Sequence, residues 1–435
     1  MLSFLKRLRV ETEDWLRYHP LVRAALSRWQ NWRTSDARGA APQAIARFAT
    51  HLCAAARWAD DPEREKYIQA RIRAAVEQLD CRAVDWTEFV SDFRDARISK
   101  AAILKPCLGP HERGVLFISF EREWIKLLNL RDLADFARRY TLVIAPSSSP
   151  HNLVNYAFAQ TFPEPIFTLI SNPHDADVLP GVSPRLIVAP LYASCWVNPD
   201  LYRPLPRADR PYDLLMVASW GKVKRHHVLF SALRELPREL RVLLVGQDQE
   251  GRDAETIREV ARWYGVADRF SILGNQPYSA VAEMFCQARS SIVLSKREGS
   301  CVVVTESMFA DTPVAVLRGA ELGSRVFIND ETGCFLNEAT LARDLGDFLR
   351  RADNYKPRAW AELHISCHRS TQVLNGILKE HALALGQTWT QDIASLQWSP
   401  DPKLANDADR YRLATERKSI VERYGLEIGP IEAGR

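Results

Sequence analysis

The sequence predicts an α/β chain with two Rossmann-like domains facing a cleft, a helical N-terminal extension and a helical C-terminal tail. Three observations carry this. At 435 residues the chain exceeds what a single core usually holds. Short apolar runs alternate with helix-like stretches in two successive blocks, the pattern of βα units and parallel sheets. A join carrying Pro199, Pro204, Pro206 and Pro211 separates the blocks, the composition of a stiff linker.

The extension, residues 1–105, repeats apolar residues at helical spacing: Trp15, Leu16, Val22, Ala25 and Leu26, then Ile45, Phe48, Leu52 and Ala55. Residues 38–42 read as a loop, and Asp60, Asp61 and Pro62 as a helix start. In the first Rossmann-like domain, residues 106–205, strands are expected at 115–120, 141–145, 165–170 and 186–189, with helices at 124–139 and 151–161. Ser147 to Ser149, before Pro150, read as a helix start. The second domain, residues 206–352, gives strands at 213–218, 241–245, 270–273, 291–294, 313–317 and 334–336. The tail, residues 353–435, reads as helix at 360–379, a polar irregular stretch near 399–407, and a charged helix at 410–424.

Composition narrows the functional classes. A net charge of +4 on 435 residues gives no bulk argument for nucleic acid, and no such partner is expected. Eight cysteines include no C-x-x-C pair and no zinc spacing, so they read as buried reduced thiols, which favours the cytoplasm. The basic, apolar start meets Glu11, Glu13 and Asp14 at once, leaving no room for the apolar core of a signal peptide. No apolar run is long enough to span a bilayer.

The sharpest chemical signal is SKREGSCVVVTESMFADTPVAVL, beginning at Ser295. A strand ends near Leu294, and a helix is expected to start at about Ser300, with Ser300 as its cap. Glu298 precedes that helix, and Glu306 lies about two turns inside it, about 9 Å further along the axis at 1.5 Å per residue. That is about the reach of a nucleoside diphosphate. Backbone N–H groups of Gly299, Ser300, Cys301 and Val302 suit the diphosphate. Glu306 suits ribose hydroxyls, and Glu298 suits hydroxyls of a transferred sugar. Ligands of doubly wound sheets bind beyond the carboxyl ends of the strands, so the cleft is where chemistry is expected.

This strand, E-x7-E, helix and proline-led strand resembles the donor site of family-4-type retaining glycosyltransferases, the glycosyl transferases group 1, whose architecture is GT-B. The resemblance covers about residues 212–350. YDLLMVASWGKVKRHHVLFSAL resembles the donor domain's first strand, loop and helix. There Lys224 falls on the family's diphosphate-binding lysine, whereas Ser219 stands where its arginine is expected; Lys222 or Arg225 is the candidate replacement charge. LRVLLVGQDQEG, around Gly246, VADRFSILGNQP, with a base-contacting loop after Gly274, and GSRVFINDETGCFL, with Thr332 and Gly333 at a turn, follow in the family's order. Cys301 and Asp311 replace residues that are usually glycine in this family.

In the first domain, FISFERE stands where the family often has a glycine-rich loop, and IFTLISNPHDAD resembles the strand and histidine on the acceptor side. The resemblance implies that His174 contacts the transferred sugar and Asp175 the acceptor hydroxyl. It implies a hexosyltransferase acting by front-face substitution, with Glu298, His174 and Lys224 as its catalytic group. The substrates would be a nucleotide-sugar donor and a glycan or lipid-linked acceptor of the cell-surface polysaccharide type. No cofactor and no metal are expected.

Other readings compete at particular residues. His226 and His227 are adjacent and read as structural. Asp175-Ala-Asp177 spells D-x-D, which a GT-B frame makes a surface carboxylate pair rather than a metal site. The basic run from Lys222 to Arg225 also reads as an exposed turn. Leu2, Phe4, Leu5 and Leu8 beside Lys6, Arg7 and Arg9 raise a peripheral membrane contact through residues 1–10, against which stands packing on the first Rossmann-like domain. At the level of the whole chain, the alternative is a non-catalytic GT-B-like scaffold that binds a partner through its helical extensions, which Ser219 and Cys301 keep open.

Overall fold

The computed structural model describes residues 2–32, 41–59, 61–147, 149–398 and 401–429. Most of the expected 38–42 loop, together with Asp60, Ser148, Ser399 and the side chain of Leu2, lies outside the described residues. Among those residues no helix is long and apolar enough to cross a membrane.

Four helices come first: α1 (Leu2–Tyr18), α2 (Pro20–Trp32), α3 (Pro42–Arg57) and α4 (Pro62–Glu77). Next come β1 (Arg97–Ile98), β2 (Ala101–Lys105), β3 (Gly114–Ser119), α5 (Glu121–Trp124), α6 (Leu133–Arg139), β4 (Tyr140–Ala145), α7 (Leu153–Thr161), β5 (Ile166–Ile170), α8 (Asp175–Val182) and β6 (Leu186–Tyr192). The second block runs β7 (Leu214–Val217), α9 (His226–Leu233), β8 (Val242–Gly246), α10 (Ala254–Tyr264), β9 (Phe270–Gly274), α11 (Tyr278–Cys286), β10 (Ser291–Val293), α12 (Val303–Phe309), β11 (Val314–Leu317), β12 (Gly333–Leu336) and α13 (Leu341–Arg351). The tail adds α14 (Pro357–His364), α15 (Cys367–Ala384), β13 (Leu396–Trp398), β14 (Pro402–Leu404), α16 (Asp407–Arg412), α17 (Ala414–Tyr424) and β15 (Glu427–Ile428).

The chain divides into two compact units. The N-unit comprises Pro20–Trp196 with Cys367–Arg435, and the C-unit comprises Met1–His19 with Val197–Ser366. The expected α/β class with two Rossmann-like parallel sheets and helical ends is therefore present, although these limits differ from four consecutive segments.

In the N-unit five strands lie in the order β2-β3-β4-β5-β6. β3 to β6 are parallel and β2 is antiparallel to β3. All residues of β2, β3 and β5 are buried, as in sheets covered on both faces. The extension is thus not wholly helical: β1 and β2 fall within residues 1–105, because the apolar run of β2 completes the sheet edge. α3 and α4 pack on each other, and α4 lies against α7 and α8. The Asp61 side chain caps α4 by accepting from Arg64 N–H at 2.7 Å, with Pro62 at the first position. Gly181 permits the approach of α4, since a Cβ there would sit 2.5 Å from Gln69 Oε1, and Gln69 Nε2 donates to the Val178 carbonyl at 2.9 Å.

The tail is woven into this unit. Ala394 N–H donates to the Leu104 carbonyl at 2.7 Å, β15 pairs with β1, and Glu416 on α17 accepts from the Tyr140 hydroxyl. Three expected helices are interrupted, the 410–424 segment at Leu413 between α16 and α17. The 124–139 segment passes through a 3-10 stretch at Ile125–Asn129 before α6, and the 360–379 segment breaks between α14 and α15. α7 starts later than Ser147 to Ser149, at Leu153, because Asn152 supplies the cap to Val154 N–H.

In the C-unit six parallel strands lie in the order β12-β11-β10-β7-β8-β9. The chain runs outward from β7 through β8 to β9 and then returns to the other side of β7 at β10. That reversal is a topological switch point, where doubly wound sheets place their ligands. Residues 198–210 are no bare linker: two short 3-10 turns, Pro199–Leu201 and Arg207–Asp209, lead to a buried Arg210 within this unit. α1 also belongs here, against the expectation that the start of the chain packs on the first Rossmann-like domain. Its charged side docks: Lys6 meets Glu259 at 3.3 Å, Glu11 accepts from the Tyr264 hydroxyl at 3.0 Å, and Glu13 meets Lys222 at 2.8 Å.

Candidate functional site

The loops leaving β7 and β10 flank the switch point. The first contains Ser219, a 3-10 turn at Lys222–Lys224, and Arg225, which adopts a left-handed φ of 57° to turn the chain into α9. The second holds Glu298 to Val302. Lys224 Nζ lies 2.7 Å from Glu298 Oε1, joining the two loops directly. Burial pulls the Lys224 ammonium down, but Glu298 outweighs it and leaves that pKa above its ordinary value. Two residues expected to handle donor charge and sugar hydroxyls therefore meet as a mostly buried ion pair.

The Glu298 loop is fastened to the segment after β11. Glu298 N–H donates to the Glu321 carbonyl at 2.9 Å, Gly323 N–H to the Gly299 carbonyl at 2.8 Å, and Ser324 N–H to the Ser300 carbonyl at 3.0 Å. Ser324 Oγ donates to the Cys301 carbonyl at 3.0 Å. Cys301 has φ 56° and Asp311 has φ 52°, so both positions take the backbone that favours glycine. Burial, and then Glu298, push the Cys301 thiol well up.

The left-handed Cys301 explains a correction. The helix starts at Val303 rather than about Ser300, its cap position is Val302, and no side chain caps it. Glu306 is consequently the fourth residue of α12, about one turn in rather than two, and is buried. The far end of α12 is held by two arginines that the sequence did not single out. Arg210 donates to the Ala310 and Asp311 carbonyls at 3.3 and 3.1 Å, and Arg358 donates to the Phe309 carbonyl at 2.9 Å, a favoured place for cations.

The candidate replacement charges for the absent arginine are engaged elsewhere. Lys222 pairs with Glu13. Arg225 is fully buried rather than an exposed turn residue. Its Nε and Nη2 donate to Asp14 at 2.9 and 2.8 Å, its Nη1 to the Leu294 carbonyl at 3.2 Å, and its Nη2 to Glu338 at 2.5 Å. Arg225 thus ties α1 to both switch-point loops. The Ser219 hydroxyl is bonded to Gln249 Oε1.

Gly246 and Gly274 end β8 and β9 side by side. A Cβ on Gly246 would lie 2.3 Å from the Ala218 carbonyl, so glycine here lets β8 approach the loop that carries Ser219. Asn275 N–H donates to the Gly246 carbonyl at 2.7 Å, and Gln276 Nε2 donates to the Gly274 carbonyl at 2.9 Å. Burial lowers His226 to about 3 and His227 to about 4, so both are neutral interior rings. The Trp220 indole N–H and His226 Nε2 are buried beside these loops with no hydrogen-bond partner among the described residues.

In the N-unit, Glu65 on α4 bridges two histidines, meeting His151 Nε2 at 2.7 Å and His174 Nε2 at 2.8 Å. His174 is half-exposed, and its hydrogen bond to Glu65 raises its pKa. Asp175 is buried. One carboxylate oxygen accepts from Ser171 and Asn172 N–H at 2.7 and 3.2 Å, and the other accepts from Asn172 Nδ2 at 3.0 Å. Both its oxygens thus serve the turn that opens α8. A cavity of about 460 Å³ lies beyond β3 and β4, lined by Cys53, Arg57, Phe120, Glu121 and Asn152 among others.

The strand order and the switch-point loops define a Rossmann-type unit. Residues 199–358 match the family model described as Glycosyl transferases group 1. No match was found among curated proteins. Among solved structures, the pneumococcal O-GlcNAc transferase GtfA in complex with UDP and GlcNAc is similar at 16% identity, over 61% of this chain and 57% of that one, with TM-score 0.43. This chain therefore spans little more than half the length of that protein. Sucrose-phosphate synthase from Thermosynechococcus elongatus is similar at 18% identity over 62% and 74% of the chains, TM-score 0.48. Anabaena HepE in complex with UDP is similar at 16% over 61% and 78%, TM-score 0.46.

Proposed function

We propose that the protein is a retaining glycosyltransferase, carrying a sugar from a nucleoside diphosphate donor to a glycan or lipid-linked acceptor. The observation that carries this reading is the Lys224–Glu298 pair at the β7/β10 switch point, inside the group 1 domain. On donor binding, Lys224 exchanges the carboxylate for the diphosphate, and Glu298 turns to hydroxyls of the sugar. The backbone of Gly299 to Val302 flanks the diphosphate and Glu306 takes the ribose. The bond from the anomeric carbon to the leaving phosphate oxygen breaks as the bond to the acceptor oxygen forms on the same face. The acceptor proton passes to the leaving phosphate oxygen, whose charge Lys224 stabilises. Within the N-unit, Glu65 orients His174.

The test is turnover of a panel of UDP-, GDP- and ADP-sugars, with the product's anomeric configuration read by NMR. Product with the donor's own configuration supports the reading, and the opposite configuration removes retention. Donor binding without turnover in the presence of glycan and lipid-linked acceptors favours a scaffold, for which the Ser219–Gln249 contact in place of an arginine is the supporting observation.

A further inference from the structure

α1 and α2 present their apolar sides to solvent. On α1, Phe4, Leu5, Leu8, Trp15 and Leu16 are between 43% and 56% exposed. At 100° per residue they share an arc of about 120°. The opposite side of the same helix holds Lys6, Glu13, Asp14 and Tyr18, which make the contacts with the C-unit. This inverts the usual arrangement, in which an amphipathic helix docks through its apolar stripe. On α2, Leu21, Trp29 and Trp32 are 74%, 47% and 81% exposed, and fall within about 80° of one another.

The charges of these helices identify what the stripes suit. α2 contains no acidic residue and exposes Arg28 beside Trp29. All three acids of α1 are taken by partners on the C-unit: Glu11 by Tyr264, Glu13 by Lys222 and Asp14 by Arg225. Arg9, although it reaches Glu13, remains 79% exposed at the margin of the stripe. Apolar and tryptophan side chains with exposed Arg9 and Arg28 beside them, and with Glu13 and Asp14 paired to Lys222 and Arg225 on the other side of α1, match the headgroup boundary of an anionic bilayer. A second copy of either stripe would set arginine against arginine.

We propose that α1 and α2 each carry a peripheral binding face for anionic lipid bilayers. These faces extend beyond the first ten residues and rest on their own observations, independent of the sugar-transfer reading.

Flotation of the full chain tests this, using phosphatidylcholine vesicles with and without about a third phosphatidylglycerol. The chain is expected to float with the anionic vesicles at least tenfold more than with neutral ones, and to be released by salt. Phe4→Glu/Trp15→Glu and Trp29→Glu/Trp32→Glu are each expected to lose at least tenfold of that binding with unchanged thermal stability. Because a charge in a stripe can also disturb folding, Arg9→Gln/Arg28→Gln serves as a second variant, expected to lose the preference for anionic vesicles. A chain that stays with the pellet for both vesicle types overturns the proposal, as does flotation unaltered in all three variants. A wild-type dimer that the glutamate variants convert to monomer, without flotation, assigns the surface to a second copy and likewise overturns it.

Discussion

Lys224 Nζ and Glu298 Oε1 lie 2.7 Å apart, joining the loop after β7 to the loop after β10 where the strand order reverses. Each is about four-fifths buried. Lys224→Ala leaves a mostly buried carboxylate without its cation and is expected to cost about 2–3 kcal/mol of stability, while reducing kcat for sugar transfer per folded molecule by about a hundredfold or more. Steady-state kinetics beside a thermal melt checks both. A loss of activity that only tracks a loss of folded protein would show a structural role.

Asp14 and Arg225 should act on stability rather than on turnover. Removing Asp14 leaves a buried guanidinium with Glu338 as its remaining carboxylate partner. Asp14→Ala is expected to destabilise the C-unit by about 2–4 kcal/mol, toward the lower part of the range for broken buried pairs because Glu338 persists. Urea unfolding followed by circular dichroism, compared between wild type and variant, reports it. Replacing both partners by apolar residues of similar volume is expected to recover part of the loss.

Glu65 gives the N-unit a pH signature. Burial alone would raise its carboxyl, but the hydrogen bonds from His151 and His174 hold it at about 2, below the usual 4.5. His174 is raised above its usual 6.5 by Glu65. The depressed Glu65 stabilises above pH 4.5 and loses this as pH falls toward 2, whereas the raised His174 stabilises below 6.5 and loses this as pH climbs through its folded value. The melting difference between wild type and Glu65→Gln should therefore be largest between pH 4.5 and 6.5 and shrink on both sides. A difference that does not vary with pH would contradict the pairing.

Gly246→Ala places a Cβ 2.3 Å from the Ala218 carbonyl, and backbone must shift to admit it. The expected cost is about 1–3 kcal/mol, together with weakened donor binding as the Ser219 loop is displaced. Gly274→Ala makes the control, since its Cβ would meet its nearest atom at 3.7 Å; it should melt within a degree or two of wild type.

What was legible in the sequence follows from how local each cause is. Apart from the antiparallel edge strand β2, the strands of both sheets read directly from apolar runs, because parallel strands covered on two faces carry that pattern within a few residues. The E-x7-E loop was legible from the elements around it, and the positive φ of Cys301 and Asp311 agrees with positions where glycine is usual. The start of α12 was missed because Ser300 has a good cap side chain, whereas the left-handed Cys301 delays the helix to Val303. Asp14 was invisible as a partner of Arg225, 211 residues away, since no local pattern records an ion pair at that separation. The place of α1 was missed for the same reason: it docks through charges, and periodicity points to its apolar side.

The β7/β10 switch point is proposed to bind a nucleoside diphosphate. The most direct measurement is a thermal-shift titration with UDP, GDP, ADP and their sugars on wild type and on Glu306→Gln, since a ligand that binds only the folded state raises the melting temperature. A concentration-dependent rise with one base, sharply reduced in Glu306→Gln, is expected. No rise with any nucleotide, or an equal rise in the mutant, would contradict it.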